Sequence, residues 1–181
     1  MVKKFIGSAA LTTDTSGLAT SVMTTKGDLA TYSTTRVRIG IGNNSDIFVA
    51  DSGEATGNKW TANTTSFILA CSDETTAISD TGTVLTFYMP YDYTVTAVRA
   101  SLTTTSSSGT PTIDINDGAS SILSTKITID AGDLISTDSA TQPVISDADL
   151  ADGAKITIDI DVTGTDATGL KCYIIGYRVA H

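Results

Sequence analysis

The residues of this chain that could do chemistry are few, and most of them are carboxylates. The single histidine is His181, the last residue, so the many Ser and Thr hydroxyls have no internal histidine to act as their base. Paired carboxylates hydrolyse glycosides when they face each other across a sugar, and the candidate pairs are Asp114 with Asp117 and Asp159 with Asp161. Asp159 and Asp161 alternate with isoleucines, which favours the polar face of a half-buried strand. We therefore predict that the protein is not an enzyme and needs no cofactor.

Metal and redox chemistry are not favoured either. The acidic stretch 147–153 places three carboxylates before a glycine, but its spacing departs from that of a calcium loop, so an acidic turn is favoured. Cys71 and Cys172 each lie inside an apolar run, which predicts buried free thiols. A disulfide between them is the alternative, because sequence alone does not supply the geometry that a disulfide needs.

Three tyrosines offer the best candidate for ligand binding. Tyr88, Tyr91 and Tyr93 surround Pro90, and exposed tyrosines can stack on sugars or line a contact between subunits. They are the candidate contacts for a glycan. The alternative is that some of them pack in the core with Phe87 while the others cover one end of the domain.

The composition indicates an all-β protein that does not bind nucleic acid. The formal net charge is -9 and the pI about 4.3, whereas a nucleic-acid interface needs clustered Lys and Arg. Thr, Ser, Asp and Gly fill the polar positions, and strong helix formers are scarce. No segment approaches the roughly 20 apolar residues of a membrane span, and the apolar start is too interrupted for a signal peptide, so we expect a non-cleaved arm and no membrane insertion.

Alternating apolar residues predict about eight strands after residue 63, at the spacing typical of sandwiches and barrels. We expect an antiparallel β-sandwich that is jelly-roll-like, with a single helical turn at 148–152. The predicted strands are 66–71, 84–89, 93–102, 112–116, 122–129, 143–145, 155–162 and 170–179.

The most distinctive block of the chain is 24–60. It contains, in order, the segments TTKGDL, RVRIGIG, ADS and TGNKW. This layout resembles a module that recurs in bacteriophage fibre and head-surface proteins, and the phrases at 87–91, 94–102, 121–126 and 169–171 also resemble phage surface domains. The resemblance implies a structural protein of the virion surface, made in the cytoplasm of a bacterial host.

The chain is therefore predicted to have three parts: an N-terminal arm (1–23), the fibre-like β module (24–62) and the sandwich (63–181). In the module, Val37, Ile39 and Ile41 alternate with polar residues and share one face of a strand. A unit with so few strands cannot bury such a face alone. The resemblance implies that the module forms a homotrimer, with these three side chains near the three-fold axis.

The first residues of the arm form a basic apolar cluster, Lys3, Lys4, Phe5 and Ile6, on an otherwise acidic chain. A basic arm can attach an acidic body to an acidic shell, so this cluster is the candidate capsid anchor. The alternative is a disordered tail.

These features predict a trimeric capsid decoration (cement) protein or head-fibre protein that binds the major capsid protein or another virion protein. The alternative is a short tail-fibre or receptor-binding protein that recognises a host surface glycan. A third class, a carbohydrate-active enzyme, lacks identifiable catalytic residues.

Overall fold

The computed structural model describes residues 28–32, 36–43 and 46–179, and every regular element in these ranges is a β-strand. The chain divides into two compact units, unit 1 (Met1–Asn63) and unit 2 (Thr64–His181). Because the described ranges contain no helix, they contain none long and apolar enough to cross a membrane. The predicted all-β class is confirmed.

Unit 1 contains two antiparallel hairpins. The first pairs β1 with β2 and the second pairs β3 with β4. The four strands are β1 (Leu29–Tyr32), β2 (Arg36–Ile39), β3 (Asp46–Ala50) and β4 (Asn58–Ala62). The strand predicted from alternation at 36–41 therefore ends at Ile39, and Ile41 lies beyond it.

Unit 2 contains eleven strands within its described residues, of which β5–β8, β14 and β15 are the long ones. They are β5 (Thr64–Ala70), β6 (Gly82–Tyr88), β7 (Tyr93–Ser101), β8 (Thr112–Asp117), β9 (Ser120–Ser121), β10 (Leu123–Thr125), β11 (Ile127–Thr128), β12 (Val144–Ile145), β13 (Asp149–Leu150), β14 (Lys155–Val162) and β15 (Lys171–Arg178).

The two main sheets of unit 2 have the strand orders β5-β15-β7-β13 and β6-β14-β8-β11. If these eight strands are counted in chain order, the sheets read 1-8-3-6 and 2-7-4-5, and every neighbouring pair is antiparallel. This is the strand order of a jelly roll, in which successive strands alternate between two facing sheets except for the fourth and fifth, which are neighbours in one sheet. The predicted jelly-roll-like sandwich is confirmed. Strand β9 pairs with the end of β8 in an antiparallel hairpin, and β10 pairs with β12.

The core lies between these sheets and is built from the alternating isoleucines and valines of the central strands. Ile156, Ile158 and Ile160 of β14 all point inward and are fully buried. They pack with inward-facing residues such as Ile115 of β8 and Ile174 of β15. The period of two in the sequence therefore selects the buried face.

Two local predictions are wrong. The strand predicted at 122–129 is interrupted at Lys126, because β10 before it pairs with β12 and β11 after it pairs with β8. The helical turn predicted at 148–152 is absent, because Asp149 and Leu150 pair with β7 instead. A tight turn follows them and ends at Gly153, whose φ of 75° is the left-handed conformation that glycine adopts readily.

The two ends of the sandwich differ. In the register of β5 and β15, Thr64 lies opposite Tyr177, so the chain enters and leaves unit 2 at the same end. At the opposite end, the connections 71–81, 102–111 and 163–170 are joined by backbone hydrogen bonds. For example, the Ile78 amide donates to the Ala167 carbonyl and the Thr103 amide donates to the Thr168 carbonyl, each at 2.8 Å. These bonds hold the three connections in one frame.

Candidate functional site

In unit 1, the first part of the fibre-like block is held together by a buried carboxylate. The Arg38 guanidinium donates from Nε to Oδ2 of Asp28 at 2.6 Å and from Nη2 to Oδ1 at 3.2 Å. The Ile41 amide also donates to Oδ1, at 3.3 Å. A two-pronged ion pair of this kind fixes geometry as well as energy. Asp28 is therefore linked within one chain to two residues of the RVRIGI segment, Arg38 and Ile41.

A glycine and a tryptophan connect the two hairpins of unit 1. A Cβ atom on Gly42 would lie 2.7 Å from Cγ of Trp60 and 2.9 Å from Oδ2 of Asp46, which is closer than atoms can pack. Trp60 in turn packs on Phe48, with ring centroids 5.0 Å apart. The Asn43 amide donates to Oδ2 of Asp46 at 2.8 Å, which closes the turn before β3. Gly42 is thus needed so that the indole can approach the backbone.

The ADS and TGNKW segments close the β3–β4 turn. Lys59 Nζ lies 2.6 Å from Oδ2 of Asp51, and the Gly53 amide donates to Oδ1 of Asp51 at 2.8 Å. The bond from Lys59 lowers the pKa of Asp51 below its ordinary value. Gly57 turns the chain back with a φ of 75°. Because this ion pair is exposed, it orders the turn and adds little stability.

Unit 1 leaves its large apolar side chains uncovered. Ile41 is 57% exposed, and Leu29, Ile47 and Phe48 are exposed as well. We call these four residues together the apolar surface of unit 1; Ile47 and Phe48, adjacent in β3, point to opposite faces of that strand. All the buried apolar residues of the described chain belong to unit 2, and the one buried residue described in unit 1 is Asp28. Within a single chain, the described part of unit 1 therefore has no hydrophobic core.

The predicted trimer contacts are only partly described. Ile41 belongs to the apolar surface, and Ile39 is half-buried at the end of β2. Val37 pairs with Thr31 across the first hairpin, but its side chain lies outside the described residues. Ile47 and Phe48 were not predicted as contacts. The sequence feature that could have identified them is the unbroken apolar run at 47–49, because a short half-exposed hairpin is expected to alternate apolar and polar residues.

The structure does not bring the three tyrosines together on one surface. Tyr93 is 1% exposed, and its hydroxyl donates to the Thr65 carbonyl at 2.8 Å, so the prediction of a glycan contact is wrong for this residue. Its ring packs edge-on against Phe67, with centroids 5.2 Å apart. Tyr91 is half-buried beneath Arg178, whose guanidinium carbon lies 4.9 Å from its ring centroid. Tyr88 alone of the three is well exposed.

The carboxylates pair differently from the sequence candidates. Asp114 lies directly opposite Asp159 in the register of β8 and β14, while Asp117 lies opposite Ile156. Lys126 Nζ reaches Asp114 at 3.0 Å and Asp161 at 2.5 Å, and these bonds raise the pKa of the lysine. The lysine thus neutralises carboxylates on the outer face of one sheet. These three side chains form an ion cluster that stabilises the sheet.

The acidic stretch near 147–153 is also occupied by structural contacts. Oδ1 of Asp149 accepts from the Thr94 hydroxyl at 2.9 Å, and the Asp152 amide donates to Asp92 at 2.6 Å. Within the described ranges, no group of three or more His, Cys, Asp or Glu side chains is placed to hold a metal ion.

Both cysteines are free and buried, so the predicted free thiols are confirmed. Cys172 lies opposite Leu69 in the register of β15 and β5, and Cys71 follows two residues after Leu69. Burial raises the pKa of the Cys71 thiol to about 11 and that of Cys172 further still. Neither thiol is therefore an activated nucleophile.

This burial predicts a loss of stability in alkali. An unfolded thiol ionises near its ordinary pKa of 9.0, whereas folded Cys71 keeps its proton up to about pH 11. Between these values the unfolded state binds fewer protons, so the free energy of unfolding falls as the pH rises. We expect the free energy of unfolding of Cys71→Ala, measured with urea, to fall less steeply across this pH window than that of the parent chain. The two chains have the same tyrosines, so the difference in slope reports the thiol. Equal slopes would contradict the prediction.

Among the open cavities of unit 2 are two that are lined entirely by described residues. The first, of about 400 Å³, is lined by residues of the β5–β6 connection and by Thr83, Val84 and Ile160. The second, of about 470 Å³, runs between β7 and the segment that contains Gln142 and Val144. The polar lining of the first cavity consists mainly of hydroxyls and of the carboxylates of Asp73 and Asp80.

The candidate anchor residues Lys3, Lys4, Phe5 and Ile6, like His181, lie outside the described residues. Comparison with known proteins gives no relative to transfer a site from: no family model, curated protein or solved structure matches the chain. The sites are therefore interpreted from contacts, burial and charge.

Proposed function

We propose that this protein is a structural protein of a bacteriophage virion, a trimeric capsid decoration or head-fibre protein. In this proposal unit 1 joins the subunits and the sandwich is displayed on the particle surface. The observation that supports this proposal is that the two units differ in how far they bury their apolar side chains. Unit 1 exposes apolar side chains without a described core, whereas unit 2 buries a complete one.

The apolar surface of unit 1 supports self-association. Two-stranded hairpins are marginal in water unless their apolar side chains are covered. Exposed clusters of large apolar residues in soluble proteins mark contacts with other molecules. Copies of unit 1 that meet around an axis would cover Ile41 and Ile47 of each chain.

The distribution of charge supports the same arrangement. Residues 64–181 carry fifteen acidic and five basic side chains, a formal net charge of -10, whereas residues 1–63 carry five acidic and six basic ones, a net charge of +1. Sandwiches of like charge repel one another, so subunits associate more readily through the nearly neutral unit 1. The charge of unit 2 then keeps the displayed domain soluble.

The basic cluster of the arm completes the proposal as the anchor on an acidic shell. Deleting residues 1–11 is expected to release the protein from phage particles without unfolding the sandwich, because every buried apolar residue of the described chain belongs to unit 2. Co-sedimentation with particles measures binding, and thermal unfolding of the free protein measures integrity. Reversing the charge of Lys3 and Lys4 is the matched variant. If the truncated protein still saturates the capsid, the anchor assignment is wrong.

One observation favours the alternative, a receptor-binding protein of the tail. The cavity of about 400 Å³ lies beside the hydrogen-bonded connections and is lined by hydroxyls and carboxylates suited to a sugar. The two functions predict different copy numbers. Occupancy of every capsomer position on purified particles would support decoration, and a few copies at the tail would support receptor binding.

A further inference from the structure

The two main sheets of unit 2 differ in the charge that their central strands carry. Strands β8 and β14 contain the acidic residues Asp114, Asp117, Asp159 and Asp161. Strands β5, β7 and β15 contain no acidic residue, and their charged residues are Arg99, Lys171 and Arg178. At the edge of this sheet, β13 adds Asp149, whose carboxylate is bonded to the Thr94 hydroxyl. The neighbouring strands β5, β15 and β7 therefore form a surface that favours anions on an otherwise acidic unit.

Arg99 is the cation of this surface whose charge the described residues leave unused. The Lys171 ammonium lies 2.5 Å from Oε1 of Glu74, and the Arg178 guanidinium lies over the ring of Tyr91. The Arg99 side chain is exposed, and within residues 28–32, 36–43 and 46–179 its guanidinium has no hydrogen bond, ion pair or ring contact. It can therefore bind a ligand's carboxylate through two parallel hydrogen bonds.

A tyrosine ring lies beside Arg99 on the same face. Tyr173 of β15 is directly opposite Arg99 in the register of β15 and β7. Its neighbours Cys172 and Ile174 are fully buried, so the half-exposed Tyr173 points outward. Its hydroxyl lies 3.0 Å from Oγ of Ser101, a residue of β7. Because Ser101 belongs to the neighbouring strand, this bond holds the ring across the sheet, where a sugar ring can stack on it.

A groove begins on the other side of Arg99. It is the cavity of about 470 Å³ that runs between β7 and the segment that contains Gln142. Its polar lining includes Arg99 and the hydroxyls of Thr96 and Thr137, and none of its lining residues is acidic. The Gln142 side-chain amide donates to the Ser139 carbonyl at 2.7 Å, which fixes this side chain. The groove therefore offers positioned polar groups to the hydroxyls of a ligand.

We propose that Tyr173, Arg99 and this groove form a binding site for an oligosaccharide that carries carboxylate groups. Tyr173 stacks on one sugar ring, Arg99 binds its carboxylate, and the groove holds the hydroxyls of the next sugar. The cavity of about 400 Å³ does not suit such a ligand, because its lining includes Asp73 and Asp80, which repel anions. The site lies wholly within unit 2 and is independent of how the subunits associate.

Isothermal titration calorimetry of the full-length chain tests this site. The probes are the trisaccharides of galacturonic, glucuronic and mannuronic acid, with galactotriose as the neutral sugar and triglutamate as the acidic peptide. We expect at least one uronate trisaccharide to bind, and galactotriose and triglutamate to bind at least tenfold more weakly. Raising the salt concentration is expected to weaken the binding, because the guanidinium is exposed.

A matched pair of variants assigns the binding to Arg99. Arg99→Gln is expected to weaken binding of the uronate trisaccharide about tenfold or more, the loss that follows when a hydrogen bond between charged groups is removed. Lys155→Gln removes the same charge from an exposed position of β14 and is expected to leave the binding unchanged.

Amide chemical shifts of the unmodified chain provide a second measurement that does not depend on a variant folding. The bound trisaccharide should shift the amides of Arg99, Thr137 and Gln142 and leave that of Asp159, in the other sheet, unchanged. If none of the three uronate trisaccharides binds, or if both variants bind as the parent chain does, the proposed site is wrong. Equal binding of triglutamate would identify the ligand as an acidic peptide and overturn the saccharide. None of these outcomes alters the proposed association through unit 1.

Discussion

Replacing Ile41 and Ile47 together by glutamate is expected to convert the assembled protein into monomers. Both side chains belong to the apolar surface of unit 1, and neither is buried in the single chain, so the substitutions cost the monomer little. In an assembly around an axis, the new charges of all subunits would meet in a poorly hydrated contact. Like charges brought together at an interface cost several kcal/mol, so we expect the association to weaken about a thousandfold, or about 4 kcal/mol.

Native mass spectrometry over a dilution series measures this effect. Val162 and Leu134 are exposed apolar residues of unit 2, so the double glutamate variant at these positions is the matched control. It adds the same charge to the chain and is expected to keep the parent dissociation constant. Phe48 is left unchanged because it packs on Trp60, and its loss would disturb the hairpin itself. A monomeric parent chain at micromolar concentration, or equal effects of the two double variants, would contradict the assignment.

The largest effect on stability is expected from Gly176→Ala. Gly176 is buried in β15, and a Cβ there would lie 2.0 Å from the Thr94 carbonyl oxygen and 2.8 Å from Cε1 of Tyr93. The register between β15 and β7 shifts beside this residue, which brings the two backbones close together. Since β15 is a central strand, neither neighbour can move freely. Overpacking of this severity is expected to cost about 3 kcal/mol or more of unfolding free energy.

Gly118→Ala is the matched control for this substitution. Gly118 has a φ of 60°, but a Cβ there would meet no atom within 4 Å, so only backbone strain is added. We expect a loss of about 1–2 kcal/mol, the cost of a left-handed alanine. Urea unfolding followed by far-ultraviolet circular dichroism measures both variants. If Gly176→Ala costs no more than Gly118→Ala, the close approach of the backbones is not what selects glycine in β15.

The sequence predicts a strand accurately when the interactions that determine it lie within the segment itself. The strand predicted at 155–162 matches β14 at both ends, because its isoleucines alternate strictly and the strand is buried on one face. The strand predicted at 122–129 breaks at Lys126 because β10 pairs with β12 and β11 pairs with β8. Such partners are distant in sequence, and only the register of the sheet brings them together.

The candidate sites show the same limit. Alternation grouped Ile41 with Val37 and Ile39 on one strand, but β2 ends at Ile39, and alternation gave no sign of the bond between Asp28 and Arg38. The grouping of Tyr88, Tyr91 and Tyr93 failed because Tyr93 points into the core from β7, whereas Tyr88 is exposed at the end of β6. A short segment rich in one residue type is therefore a weaker guide to a surface than the face on which each side chain lies.

The shared entry and exit end of the sandwich has a practical consequence for engineering. Because β5 begins and β15 ends at the same end, a peptide fused after β15 would emerge beside the point where unit 1 joins. A foreign epitope meant for the opposite end must instead be inserted into a connection between strands. Thr76 and Ala77, both exposed in the β5–β6 connection, flank the natural insertion point, since Asp73 and Glu74 before them hold the connection to its neighbours.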